Sequence, residues 1–167
     1  MFLLMILEKV KNCGQIYLSE PNKRRQEVCS KNLKSTSTTP KDPSLKENDF
    51  DLVFDTVGLE ITRNSAIKHI KPGGTIVHIG LSQPSGVFDF RKATLQEITF
   101  IGTYCYTNRD FKKTLNILSN KDLGSLNWIE YRSLKDGVKA FQDIHNGSCS
   151  APKIAVSYTH LTLPTKA

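Results

Sequence analysis

An acidic residue with basic residues close behind it is the first candidate for chemistry in this sequence. In the stretch GQIYLSEPNKRRQE, the apolar run 16–18 ends at Glu20, and the basic segment 23–25 follows. A carboxylate at the carboxyl end of a parallel strand can accept hydrogen bonds from the hydroxyls of an adenosine ribose, and it repels a 2′-phosphate. Glu20 is therefore a candidate ribose ligand that favours NAD over NADP, with Arg24 or Arg25 along the adenosine edge. The alternative is an acid that only ends a strand near solvent.

Three apolar runs further along the chain contain a glycine at or near their carboxyl ends. They are FDLVFDTVG (50–58), TIVHIG (75–80) and ITFIGTYCY (98–106). Glycine at a strand tip lets the backbone approach a ligand closely. An ordinary strand-to-loop turn explains any one of these glycines equally well, but the three runs together favour a binding edge.

The elements that would position these residues alternate between helix and strand. The early strands are apolar on both faces, which is typical of a parallel sheet covered by helices on each side. We therefore predict an α/β fold with a doubly wound, Rossmann-like parallel sheet, a polar loop at 34–49 with at most a short strand, and a turn at KPGG (71–74). The predicted helices are 1–12, 22–32, 60–70, 91–96, 109–120 and 135–146, and the predicted strands are 15–19, 50–58, 75–80, 98–106, 126–134 and 153–156.

Composition excludes several classes of function. The formal charge of +7 comes from scattered Lys and Arg with few aromatic residues among them, which indicates a solvated basic surface and no nucleic-acid partner. The apolar N-terminus lacks the basic start and cleavage site of an export signal, and no run reaches the ~18 apolar residues of a membrane span. The four widely spaced cysteines fit reduced thiols in a cytoplasmic protein.

The other chemically capable side chains are interpreted as structural. No histidine has a partner at metal-ligand spacing, so no metal site is predicted. Asp55 is expected to be a hydrogen-bonded acid within its strand, and Cys105 a buried strand thiol. Trp128 and Tyr131 are expected to pack in the core.

The blocks DLVFDTVG, KPGGTIVHIG and ITFIGTYCYTNRDF in series resemble the zinc-type medium-chain dehydrogenases/reductases, the alcohol and polyol dehydrogenase family. The resemblance covers about residues 1–155, and RSLKDGVKAFQDIHNGSCSAPKIAV is similar to the closing helix and strand that return to the family's catalytic domain. It implies hydride transfer between NAD and a primary or secondary alcohol, with zinc in the parent protein. A small alcohol or carbonyl substrate and a homo-oligomer are implied as well.

The resemblance also assigns residues to NAD. Glu20 is similar to the family's ribose-binding acid, and Arg25 to its adenosine-side arginine. Three strand-tip segments resemble those around the nicotinamide half: Thr56, Val57 and Gly58 near its ribose, Ile79, Gly80 and Leu81 against its ring, and Thr103 to Cys105 at its carboxamide.

The family's zinc ligands and its glycine-rich phosphate turn have no counterpart before Glu20, since none of the first 13 residues is glycine. The expectation is a sheet truncated at its N-terminus, in an inactive fragment without catalytic or metal-binding residues. It divides into 1–105, an incomplete dinucleotide-binding domain, and 106–155, the last cofactor-domain helix and the return. VSYTHLTLPT (156–165) back-translates to a transposon-type sequencing adapter, and 156–167 is therefore interpreted as an artefact.

Two other classes of protein stay open. An acid after the second strand also binds the ribose in S-adenosylmethionine-dependent methyltransferases, and DLVFDTVG could serve as their fourth-strand motif. The third class is a non-catalytic nucleotide-binding module. The end of the chain discriminates, because such methyltransferases close on an antiparallel hairpin, whereas strand, helix and short strand are predicted here.

Overall fold

A computed structural model describes residues 1–157 of the chain. Helices and strands alternate along it, as predicted, except that the strands Thr36–Thr38 and Phe50–Asp55 follow each other with no helix between them. In chain order, the helices are α1 (Phe2–Met5, continued by a π-helical turn, Ile6–Val10), α2 (Lys23–Asn32), α3 (Glu60–His69), α4 (Phe90–Leu95), α5 (Asn108–Ser119) and α6 (Gly137–His145, preceded by a 3₁₀ turn, Leu134–Asp136). The strands are β1 (Tyr17–Ser19), β2 (Thr36–Thr38), β3 (Phe50–Asp55), β4 (Ile70–His78), β5 (Thr99–Gly102), β6 (Ile129–Ser133) and β7 (Lys153–Ser157).

The chain divides into two compact units. Residues 1–40 and 111–157 form the first, called here the terminal unit, and Lys41–Asp110 form the second, the central unit. All strand pairs in residues 1–157 are parallel, which confirms the predicted parallel α/β class. The boundary predicted at 105–106 is a division by role and stays a prediction.

In the described part of the chain, the terminal unit contains two parallel strand pairs and one apolar core. β1 pairs with β2, so that Ser19 lies opposite Thr38, and β6 pairs with β7. The rings of Phe2 and Trp128 meet edge to face, with their centroids 4.8 Å apart, so α1 packs on this core. The buried core residues are Leu4, Met5, Cys29, Leu33, Leu123 and Trp128.

The central unit is a three-stranded parallel sheet in the order β3-β4-β5. Asp55, at the end of β3, lies opposite His78 of β4, and His78 lies opposite Gly102 of β5. The core beneath the sheet consists of Ala66 and Ile67 of α3 with Ile70 and Ile76 of β4. The three carboxyl ends therefore lie at one edge of the sheet.

One predicted turn is wrong. KPGG was expected to separate a helix from a strand, but residues 71–74 lie inside β4. At this place the pairing register of β4 with β3 shifts, between Phe50 and Leu52 of β3. Gly73 takes a positive φ of 73° there, and its N–H donates to Gln96 O at 2.7 Å. The segment is a bulge, which glycine allows at little conformational cost.

The two ends of the chain add smaller differences. The helical segment predicted at 1–12 is regular only over Phe2–Met5. The last strand includes Val156 and Ser157, whereas 158–167 lie outside the described residues, so the origin predicted for the tail stays a prediction. No helix within residues 1–157 has the length and apolar character needed to cross a membrane.

Candidate functional site

Glu20 follows β1 directly, at the carboxyl end where the sequence placed it. Its N–H donates to Thr38 O at 3.0 Å and extends the β1–β2 ladder by one bond. Its carboxylate is half-buried, and Oε1 accepts from the N–H of Asn22 at 2.9 Å. An ionised carboxylate has about four lone-pair sites, so it can still accept from ligand hydroxyls.

Asn22 starts the helix behind Glu20. Its Oδ1 accepts from the N–H groups of Arg24 at 3.0 Å and Arg25 at 3.4 Å, which makes it the N-cap of α2. Asparagine is among the preferred N-cap residues because its oxygen satisfies otherwise unpaired N–H groups. The side chain of Asn22 also donates to Gly147 O at 3.4 Å.

The two arginines predicted beside the adenosine differ in their surroundings. The guanidinium of Arg24 donates to Ser148 O at 2.9 Å, which ties it to the turn after α6. Arg25 is half-buried, and its Nε has no hydrogen-bond partner among the described residues. The Nε atom itself is buried, and the role of Arg25 beside the adenosine stays a prediction.

Asp55 organises the first strand tip of the central unit. Its side chain is buried, and Oδ1 accepts from the N–H groups of Val57 at 3.0 Å and Gly58 at 2.9 Å. Its backbone oxygen accepts from the N–H groups of Ile79 and Gly80 at the neighbouring tip. The prediction of a hydrogen-bonded structural acid is confirmed.

The second oxygen of that carboxylate faces a histidine. Asp55 Oδ2 lies 3.6 Å from His78 Nε2, and neither atom has a hydrogen-bond partner within residues 1–157. The His78 ring lies beside Phe100 with the ring centroids 5.7 Å apart. Asp55 thus contacts both the loop that follows β3 and the strand next to it.

Glycines 58 and 80 bring the two strand tips into direct backbone contact. A Cβ on Gly58 would overlap Gly80 O, and a Cβ on Gly80 would overlap the carbonyl group of Val57. Gly58 also has a positive φ of 77°. The sequence assigned these glycines to close approach of a ligand, whereas the structure shows that they allow close approach of the backbone to itself.

The remaining predicted residues lie exposed along this edge of the central unit. Thr103 N–H donates to His78 O at 3.0 Å, so the third tip continues the ladder by one bond. The residues of this edge that are exposed to solvent include Thr56, Val57, Ile79, Leu81, Thr103 and Cys105. The structure brings together the three segments predicted for the nicotinamide half.

Arg63, on α3, holds the loop that follows β4, and sequence reasoning missed it. Its guanidinium donates to Gly58 O at 2.9 Å, Gln83 O at 3.3 Å and Ser85 O at 2.6 Å. The loop covers an open cavity of about 390 Å³ whose walls include Phe88 and Phe100. An arginine on a helix carries no sequence signal for this role, because its acceptors are main-chain oxygens of distant residues.

Two interpretations of aromatic and thiol residues are wrong. Cys105 is exposed, with φ of 57°, because β5 ends at Gly102 opposite the last residue of β4. Tyr131 lies on β6 with 70% of its surface exposed. Trp128 is buried, as predicted.

A charged cluster ties β6 to α6 in the terminal unit. Arg132 donates to Glu130 Oε1 at 2.6 Å and to Asp143 Oδ2 at 2.7 Å. Hydrogen bonds from Arg132 lower the pKa of both carboxyl groups. Burial and a hydrogen bond to Glu130 raise the pKa of the Cys149 thiol, which keeps it protonated and unreactive.

The residues present do not fit a metal centre. Within residues 1–157 there is no group of three His, Cys, Asp or Glu side chains that could hold an ion. Each unit by itself offers one feature found in nucleotide-binding sheets: the terminal unit has a carboxylate after a strand end, and the central unit has an exposed edge of backbone-paired strand tips.

Parallel strands connected by helices define an α/β protein, and comparison with known proteins identifies its family. The sequence model described as "Zinc-binding dehydrogenase" matches residues 3–120. The chain belongs to this family, as the sequence blocks predicted.

Individual relatives agree. D-xylulose reductase of Saccharomyces cerevisiae is 33% identical over 94 residues, which are 56% of this chain and 26% of that protein. Probable diacetyl reductase [(R)-acetoin forming] 2 of the same yeast is 31% identical over 119 residues, 64% of this chain and 28% of that protein. The chain thus spans about a quarter of the length of these curated relatives.

Solved structures share the fold. Acetophenone reductase from Geotrichum candidum in complex with NAD superimposes with a TM-score of 0.79 at 16% identity, over 91% of this chain and 43% of that one. A short chain alcohol dehydrogenase from Escherichia coli complexed with NADH gives 0.80 at 14% identity, over 93% and 48%. These matches confirm the predicted Rossmann-like class.

Proposed function

We propose that this chain forms the cofactor-binding part of an NAD-dependent alcohol or polyol dehydrogenase. One observation carries the proposal: in a chain of the zinc-binding dehydrogenase family, the three strand tips of the central unit meet at one edge. Contacts between backbone groups and the Asp55 carboxylate hold this edge, so its outward side chains stay available to a ligand.

The central unit would bind the nicotinamide half. Backbone groups of Thr56 to Gly58 would face its ribose, and Ile79 to Leu81 would pack on its ring. The amide and carbonyl groups from Thr103 to Cys105 would hold its carboxamide. When bound, NAD supplies the hydride acceptor, and the residues named here orient it and exclude water from one side.

The terminal unit would bind the adenosine half, and the two halves are proposed and tested separately. Glu20 would accept hydrogen bonds from the ribose hydroxyls, and Arg25 would lie along the adenosine. A carboxylate at this place disfavours the 2′-phosphate of NADP, so NAD is the proposed cofactor.

The proposed substrate is a small molecule with a secondary or primary alcohol, or the corresponding carbonyl compound. The names of the relatives point to polyols and their ketones, since they include xylulose and diacetyl reductases and sorbitol dehydrogenase. No step is assigned to zinc, because the described residues provide no ligand set for it. A homo-oligomer and a cytoplasmic location, the latter from the four free cysteines, remain proposals.

The methyltransferase alternative is not favoured. β6 and β7 are parallel and are connected through α6, whereas the antiparallel closing hairpin typical of those enzymes would place the last strands in opposite directions.

The test is a titration of the ¹⁵N-labelled 167-residue chain with NAD. We expect NAD to change the chemical shifts of the backbone amides of Val57, Ile79 and Leu81 in the central unit, and of Glu20 in the terminal unit. Glu20→Gln should weaken the terminal-unit response, and Glu27→Gln, an exposed acid on α2, should leave it unchanged. Equal shifts with S-adenosylmethionine, or no shift at either edge, would overturn the proposal.

A further inference from the structure

The helix behind Glu20 carries a glutamine that joins the ends of two strands. Gln26 Nε2 donates to Glu20 O and to Thr38 O, the latter at 3.2 Å. Both protons of one amide group thus serve carbonyl oxygens on neighbouring strands. Gln26 is half-buried, and its position on α2 is set by the Asn22 cap and its own N–H bond to Asn22 O at 3.0 Å.

Together with two further hydrogen bonds, the Gln26 bond holds Glu20 at its N–H, its carbonyl oxygen and its carboxylate. Glu20 N–H donates to Thr38 O, its own carbonyl accepts from Gln26, and its Oε1 accepts from Asn22 N–H. The backbone of Glu20 is therefore held on both sides of its Cα, and its side chain is held at one oxygen. Within residues 1–157, Oε2 has no protein partner.

We infer that Gln26 is a positioning residue that sets the direction of the Glu20 carboxylate and thereby the discrimination against a 2′-phosphate. The inference rests on the proposed function, because it assumes that Glu20 meets an adenosine ribose. A carboxylate distinguishes a hydroxyl from a phosphate only when it is held near the 2′ position, since charge repulsion between exposed groups falls steeply with distance and salt. An unclamped Glu20 could rotate away from the phosphate.

The chemistry of the clamp requires a donor with two protons on one nitrogen. Glutamate has nearly the same shape, but its carboxylate would face two carbonyl oxygens and add charge near Glu20. Methionine has similar length and helix propensity, and it removes both donors without adding charge. Gln26→Met therefore isolates the loss of the clamp, and Gln26→Glu adds electrostatic repulsion to it.

The test compares two small probes that contain only the adenosine side, 5′-AMP and 2′,5′-ADP, on the full 167-residue chain. The readout is the ratio of their dissociation constants, measured from amide shifts at Asn22 and Arg25. A merely structural destabilisation weakens the binding of both probes alike and leaves the ratio of their dissociation constants unchanged. Gln142→Met and Gln142→Glu, at an exposed position on α6, are the matched controls.

We expect the unchanged chain to prefer 5′-AMP and Gln26→Met to reduce that preference by roughly three- to tenfold, as expected when about one hydrogen bond's net contribution is lost. Glu20→Gln should reduce it further, and the Gln142 variants should retain it. Retention of the full preference in folded Gln26→Met would overturn the role of Gln26 alone. Should Gln26→Met fail to fold, Gln26→Leu, which also removes both donors and adds no charge, decides by the same ratio.

Failure of the proposed function has a different signature. Absence of any preference in the unchanged chain would overturn the roles of both Glu20 and Gln26. NAD-induced shifts confined to the central unit would keep the nicotinamide assignment and overturn the adenosine one.

Discussion

The tips of β1 and β2 in the terminal unit are held by side chains, whereas the tips of β3 and β4 in the central unit are held largely by the backbone itself. Around Glu20 the donors are the side-chain amide of Gln26 and the N–H of Asn22, the cap residue of α2. At the other edge, Gly58 and Gly80 touch directly, and Asp55 ties the loop. A tip held by side chains can change its ligand preference through single substitutions, but one held by backbone contact tolerates no added side chain.

The largest expected effect is at Gly58. Gly58→Ala combines a positive φ with overlap against Gly80 O, and we expect it to destabilise the central unit by roughly 3 kcal/mol or more. Amide exchange of β3 and β4, followed in denaturant, measures this loss.

Substitutions at two other glycines separate the conformational cost of a positive φ from the steric cost of the added methyl group. Gly73→Ala has the same sign of φ but open space around the new methyl group, so it should show the conformational cost alone. Gly102→Ala meets open space and should be nearly neutral. If Gly58→Ala were no worse than Gly73→Ala, the backbone contact would not matter to stability.

The next effect is at Asp55. Asp55→Ala leaves the buried N–H of Gly58 and the partly buried N–H of Val57 without their acceptor. This loss should lower the free energy of unfolding by about 2 kcal/mol. Asp55→Asn keeps one acceptor oxygen and should cost less. The matched control is Asp51→Ala, an exposed residue on the same strand whose ion pair with Lys71 lies at the surface. Equal denaturation midpoints for Asp55→Ala and Asp51→Ala would contradict the structural role of Asp55.

The smallest effect is a pH dependence of the terminal unit. The pKa values of Glu130 and Asp143 lie below their ordinary values of 4.5 and 3.8, because Arg132 donates to both carboxylates. A lowered folded-state pKa means that this stabilisation is complete above the ordinary values and is lost as the pH falls through the lowered ones. Melting followed by Trp128 fluorescence should therefore shift to lower temperature below about pH 4.5.

Arg132→Met tests the cause of that shift. It removes the donor, so the variant should be less stable at neutral pH and should lose less on acidification. Arg91→Met, an exposed arginine in the central unit, should behave like the unchanged protein. An identical acid response in Arg132→Met would show that other groups control it.

Local pattern was sufficient for much of the fold. The apolar runs predicted β3, β4 and β5 and their parallel pairing, and the position of Glu20 predicted the acidic strand end. Strand ends were less accurate: the strand was predicted over 98–106, but β5 stops at Gly102 because its partner stops at His78. A strand extends as far as its hydrogen-bond partner, and the partner's length is not written in the strand's own residues.

The side chains that hold the two edges were mostly beyond sequence reasoning. Asn22 carried a signal, as a preferred cap residue before a helix. Gln26 and Arg63 carried none, since amide and guanidinium groups are common on helix surfaces and their acceptors here are backbone oxygens up to 22 residues away. KPGG carried a misleading signal, because a glycine-rich bulge and a turn have the same composition.

The order of helices and strands, the family and the residue types at the strand ends follow from the amino-acid sequence itself, because periodicity and glycine placement are local properties of a chain. Which groups hold those ends was decided only by tertiary structure. Gly58 meets Gly80, and Gln26 meets Thr38, through contacts that exist only after parallel strands have been brought side by side. Hydrogen bonds and steric contacts act over a few ångströms in space, and separation along the chain does not predict them.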